Sequence, residues 1–135
     1  GRLDARRTLK SLVADLRINE ATTDILKKYT ESSICILSSR FEGFGMSIAE
    51  AMSCGIPVVS FNCPCGPRYI IRDGEDGILV ENGNVEQLAE KICYLIENEH
   101  RRKEMGRKAH INIKRFETEQ IMSQWIKLFE ELLRI

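Results

Sequence analysis

The sequence predicts an α/β domain built on a parallel sheet flanked by helices. Short apolar runs suited to strands alternate with helix-forming stretches, the order that covers both faces of such a sheet. A strand, a glycine-bearing loop, a helix and a second strand follow one another within about thirty residues, the span of a βαβ unit. The 135 residues suffice for one domain with a core and are short for two. The chain opens on Gly1 and goes straight into an amphipathic stretch, so it reads as a part of a longer protein.

Residues 5–16 carry Leu9, Leu12, Val13 and Leu16 at helical spacing with basic residues opposite, predicting an amphipathic helix. Residues 17–19 read as a short strand, and 23–29 as a second helix with Ile25 and Leu26 turned inward. Residues 34–37 form an apolar, partly β-branched run ended by Ser38 and Ser39, expected as a strand buried on both faces. Residues 57–61 repeat that pattern. The stretch between, 47–53, is too rich in Ala and Met for a strand and is expected as a helix. Gly77–Val80 is a third strand, introduced by the turn signal at 73–77. Asn84, with Gln87 three residues on, caps a helix that puts Val85, Leu88, Ala89, Ile92, Leu95 and Ile96 on one face. Residues 100–115 read as a more polar helix. Thr118 is expected to cap a last one, whose Ile121, Trp125, Leu128, Phe129 and Leu132 should pack back on the domain.

Twenty basic and twenty acidic residues cancel, which removes any general electrostatic pull toward nucleic acid or an anionic membrane. No stretch reaches the roughly 18 apolar residues of a membrane span, and no signal-peptide pattern opens the chain, so a cytoplasmic domain is expected. The five cysteines show no C-x-x-C spacing and no histidine cluster, which argues against zinc. Cys35, Cys54 and Cys93 lie among apolar neighbours and are expected as small hydrophobes in a reducing compartment. Cys63 and Cys65 are the one close pair, read as structural rather than as a redox or metal site.

In parallel sheets ligands bind beyond the carboxyl ends of strands, so the loop after Leu37 is the first candidate site. There Gly43 and Gly45 permit a sharp turn and close approach of backbone to a ligand. The helix that follows offers free N–H groups and the positive end of its dipole, which suits a phosphate. Glu42 and Glu50 stand eight positions apart. A helix spanning both would separate their backbones by roughly 12 Å, more than the roughly 5 to 9.5 Å between the carboxyls of a hydrolytic pair. Two contacts at opposite ends of a long ligand fit better. A nucleotide sugar has that shape, with paired hydroxyls for carboxylates at either end and a diphosphate between. The plainer reading makes Phe44, Met46, Ile48, Ala51 and Met52 core and leaves Glu42 a solvated carboxylate near a helix start.

Residues 41–59, FEGFGMSIAEAMSCGIPVV, closely resemble the E-x7-E signature of retaining GT-B glycosyltransferases (family 4, group 1 type), the enzymes of bacterial lipopolysaccharide, capsule and mannosyl-phosphoinositide synthesis. Residues 62–71, 73–80 and the Asn84-capped helix look like the segments that come next, so the resemblance runs from Thr23 to the end. It implies a partial Rossmann-like C-terminal domain, the donor-binding half of a two-domain enzyme, with the domain's first strands and the N-terminal acceptor domain outside this chain. The implied activity is retaining transfer of a hexose or N-acetylhexosamine in surface polysaccharide or glycolipid synthesis, without cofactor or metal. The Cys-Pro-x-Gly-Pro turn points to a UDP-sugar. Work at the inner face of the cell membrane is expected, with membrane contact only in the full-length protein.

Carried over by position, the resemblance implies the catalytic role for Glu42, facing hydroxyls of the donor hexose. It implies that backbone N–H groups of the Gly43 turn, at Phe44, Gly45 and Met46, meet sugar and diphosphate, and that Glu50 holds the ribose hydroxyls. Asn62 and Tyr69 stand where related sequences often carry Asp and Glu, and Arg68 reads as a surface residue. The Arg and Lys that clamp the diphosphate in the family are not in the chain, so weak donor binding and no transfer are expected from it alone. In a 3-2-1-4-5-6 sheet lacking strands 1 and 2, residues 3–19 are expected to repack, or the edge at 34–37 to pair with another chain. Two other readings compete: a non-catalytic nucleotide-binding or regulatory module, which loss of either glutamate would favour, and a UDP-sugar epimerase of GT-B type.

Overall fold

The computed structural model describes Arg17 and residues 19–134. The helix expected at 5–16 and the repacking of 3–19 fall largely outside them, and Arg17 and Asn19 belong to no strand. The described elements are α1 (Ile25–Thr30), β1 (Cys35–Leu37), α2 (Met46–Ser53), β2 (Val58–Phe61), α3 (Pro67–Ile70), β3 (Gly77–Val80), α4 (Val85–Glu97), α5 (Glu99–Asn112), a 3-10 turn (Ile113–Phe116) and α6 (Thr118–Leu133).

The strands form a parallel sheet in the order β1-β2-β3, with Cys35 beside Val58 and Val58 beside Gly77. Every residue of β2 is buried. Because strand side chains alternate, β2 feeds two cores. Val58 joins Ile48, Ala51, Met52, Ile70, Ala109 and Ile113 under α2 and α5. Val59 and Phe61 join Ile78, Val80, Leu88, Leu95 and Met105 under α4. The burial on both faces expected for 34–37 is not reached: Ile34, Cys35 and Leu37 are only partly buried and Ile36 is 48% exposed, at the outer strand of the described sheet.

Periodicity located the helices better than their covered faces. In α2 the buried residues are Ile48, Ala51 and Met52, one stripe at i, i+3 and i+4. In α4 only Leu88 and Leu95 are buried and Ile92 is partly so, while Val85, Ala89 and Ile96 face outward. Ile25 and Leu26 are exposed rather than inward, since α1 meets the core through Tyr29. Cys93 is exposed and does not serve as core, whereas Cys35 and Cys54 pack against it. The Asn84 cap forms, its Oδ1 accepting from the Gln87 N–H at 2.9 Å. Gln87 reaches beyond the cap instead of back to it, accepting from the Glu81 N–H at 2.7 Å.

The helix expected over 100–115 ends at Asn112 and tightens into the 3-10 turn. Buried polar bonds draw its end onto the loop before β3. Asp76, fully buried, accepts from the Arg72 N–H at 2.7 Å and from Asn112 Nδ2 at 3.0 Å. Arg115 lies 4.0 Å from the same carboxylate and donates to the carbonyl of Ile70. Thr118 is the first residue of α6 rather than its cap; Glu117 precedes it in extended conformation and makes no side-chain cap. Among the described residues α6 docks through the 3-10 turn, and Trp125, Leu128, Phe129 and Leu132 stay exposed instead of packing back.

Candidate functional site

Three loops leave the carboxyl ends of the three strands and meet. The loop after β1 runs to Gly45, which takes a left-handed conformation (φ 89°) and turns the chain into α2. Its carbonyl accepts from the Ile48 N–H at 3.0 Å, and a Cβ there would lie 3.1 Å from Ile48 Cδ1. The loop after β2 braces this turn: the Gly66 N–H donates to the Gly43 carbonyl at 2.7 Å. The loop after β3 holds its start, with Asn82 Nδ2 donating to the Arg40 carbonyl at 3.2 Å.

Glu42 is half-buried at the head of the glycine turn, outside any helix. It is close enough to the buried Cys63 thiol to reinforce the upward push that burial gives that group. Since α2 begins only at Met46, the glycine turn and about one helical turn separate Glu42 from Glu50, not a continuous helix. Phe44 and Met46 are 45% and 62% exposed, so of the five residues with a competing core reading only Ile48, Ala51 and Met52 are core. Phe44 meets the edge of Phe116, ring centroids 5.5 Å apart.

Glu50 is half-buried on α2, and the Tyr29 hydroxyl donates to its Oε2 at 3.2 Å. Burial first, then the neighbouring Cys35 and Glu50, push the Tyr29 hydroxyl up to about 12. Two carboxylates therefore flank a turn and a helix start whose first N–H groups lack intrahelical acceptors. Such a surface can accept from hydroxyls at two points and donate to an anion between them. Asn62 follows β2 with its N–H on the Val80 carbonyl at 2.7 Å, Tyr69 is exposed, and Arg68 reaches the Asn62 carbonyl at 3.4 Å. Tyr29, Gly66, Asn82 and Phe116 were not among the residues the sequence singled out for the site. Of these, Gly66 alone carried a signal, its place in the Cys-Pro-x-Gly-Pro turn.

Residues 16–112 match the family of glycosyl transferases group 1. The chain belongs to that family. Its fold is that of the C-terminal Rossmann-like domain of GT-B glycosyltransferases. Over 121 residues the group 1 domain is 36% identical to the poly(ribitol-phosphate) alpha-N-acetylglucosaminyltransferase of Staphylococcus aureus, covering 89% of this chain and 24% of that protein. It also resembles a crystal structure of a point mutant of S. aureus TarM in complex with fondaparinux, alpha-GlcNAc-glycerol and UDP. That match has a TM-score of 0.85 and 33% identity, over 95% of this chain and 26% of that one. HepE of Anabaena, solved in complex with UDP, matches with a TM-score of 0.84 and 26% identity, over 96% of this chain and 36% of that one. The group 1 domain thus spans only a minor share of each relative's length.

The brace on the glycine turn is open to a direct check. A Cβ at Gly66 would lie 2.6 Å from the Phe44 carbonyl oxygen and 3.0 Å from that of Gly43. Gly66→Ala is therefore expected to cost about 1–3 kcal/mol of stability, the usual size of overpacking. The midpoint of urea unfolding measures it, and an unchanged midpoint would show that the two loops separate freely.

Proposed function

We propose that this domain binds the donor of a retaining E-x7-E glycosyltransferase of family 4, which transfers a hexose or N-acetylhexosamine from a UDP-sugar in surface polysaccharide or glycolipid synthesis. The observation that carries the reading is the placement of half-buried Glu42 and Glu50 on either side of the Gly43–Gly45 turn, at the carboxyl ends of parallel strands. Glu42 faces the hexose hydroxyls and is the catalytic residue of this half. The N–H groups of Phe44, Gly45 and Met46 meet the sugar and the diphosphate, and Glu50 takes the ribose hydroxyls. UDP as the nucleotide is supported by its presence with TarM and with HepE.

In this scheme the acceptor attacks on the face from which the diphosphate leaves, and helix N–H groups stabilise the charge on the departing phosphate. The acceptor domain and the diphosphate clamp are supplied by the remainder of the protein, so this domain by itself binds donor weakly and does not transfer. The work is placed at the cytoplasmic face of the membrane. No helix among the described residues is long and apolar enough to cross a membrane.

The test is calorimetric titration of UDP and GDP into the full-length protein, wild type and Glu50→Ala. A hydrogen bond to a charged group contributes about 1.5–3 kcal/mol, so Glu50→Ala is expected to weaken UDP binding roughly 10- to 150-fold. Equal affinity in the two proteins would sink the ribose role, and preference for GDP would overturn the choice of nucleotide.

A further inference from the structure

We propose that Tyr29 is a positioning residue for the donor nucleotide: it acts through Glu50, holding one carboxylate oxygen so that the other is presented to the ribose. The proposal rests on the ribose role given to Glu50 above. Tyr29 lies in the last turn of α1, half-buried and packed against the core beneath α2. Its hydroxyl donates to Glu50 Oε2 at 3.2 Å, across 21 residues of sequence. Among the described residues this is the one hydrogen bond the Glu50 carboxylate makes, so Oε1 is left for a ligand.

The backbone of Glu50 is set by its neighbours, since Ile48, Ala51 and Met52 anchor α2 in the core. Its side chain is another matter. A glutamate has three rotatable bonds, and fixing them on a ligand has an entropic cost. A carboxylate already tied at one oxygen has lost part of that freedom before the ligand arrives, which is the basis of preorganisation. Tyr29 is well suited to the task because its hydroxyl, held near 12 by burial and its acidic neighbours, stays protonated and donates throughout any working pH range. A phenylalanine would fill the same space and lack only the donor.

The experiment uses full-length protein and two probes, UDP and its 2′,3′-dideoxy analogue, titrated into wild type and Tyr29→Phe. Wild type should prefer UDP at least roughly tenfold, and Tyr29→Phe should cut that preference roughly five- to tenfold while leaving the analogue's affinity unchanged. The ratio is internal to each folded protein, so a loss of folded material changes stoichiometry and not the preference. If wild type discriminates and Tyr29→Phe discriminates equally, Tyr29 does not position Glu50, and the ribose role of Glu50 stands. If both probes weaken alike, Tyr29 is purely structural and the proposal is overturned. If wild type binds both probes equally, the Glu50 reading itself fails and takes this proposal with it.

Discussion

Replacing Gly106 by alanine is expected to destabilise the domain by about 3 kcal/mol, at the upper end of overpacking effects. Helix propensity alone predicts the opposite sign, since alanine is better than glycine inside a helix by about 1 kcal/mol. The contact decides. A Cβ at Gly106 would lie 2.2 Å from the carbonyl oxygen of Gly55 and 3.2 Å from Pro57 Cδ. The first of these neighbours is backbone and cannot swing away like a side chain. The turn that carries it is itself tied down: the Gly55 N–H bonds to the Met52 carbonyl at 2.9 Å and the Ile56 N–H to that of Ala51 at 3.0 Å. Yielding would therefore push α5 off the end of α2 and loosen Met105 and Ala109, both buried. The loss should lower the domain's melting midpoint by roughly 10 °C, followed by circular dichroism. A rise in the midpoint would mean that propensity wins and that α5 sits farther from the turn.

Glu42→Ala should act on chemistry rather than on fold. On the hexose role proposed for Glu42, kcat/KM of the full-length protein is expected to fall roughly 100-fold, while the Kd for UDP moves by no more than about threefold. The size follows from losing a charged hydrogen bond worth about 1.5–3 kcal/mol. The selectivity follows from position, because Glu42 precedes the glycine turn outside any helix, whereas Glu50 lies beyond it on α2. A contact made to the hexose as it is released is felt in turnover, and one made to the ribose is felt in nucleotide binding. Steady-state kinetics with calorimetry separate the two. Equal losses of UDP affinity and turnover would remove the hexose assignment.

The loop with Glu42 and the helix with Glu50 were legible because their signals are local. Glycines at 43 and 45 mark a turn, a short apolar run precedes it, and the residues after it carry a helical stripe at 48, 51 and 52. The same holds for the Asn84 cap, which needs only a residue and an N–H three positions on. The partners of that loop were not legible. Gly66 reaches Gly43 across 23 residues (66 − 43), Tyr29 reaches Glu50 across 21, and Asn82 reaches Arg40 across 42. Nothing in the spacing of those residues announces their meeting.

Apart from α3 and the 3-10 turn after α5, the sequence by itself determined the three strands, the main helices after residue 23 and the parallel α/β class. These follow from hydrophobic period, capping and turn chemistry, all of which act over a few neighbouring residues. The tertiary structure decided which stripes are covered. Ile36, Cys93 and the apolar face of α6 have the right period, yet period does not name the surface that meets them. It also decided where backbones touch, at Gly66 on Phe44 and Gly106 on Gly55, and how Asp76 finds Asn112 and Arg115. Those are through-space encounters fixed by the packing of helices on a sheet, and chain-local rules carry no term for them.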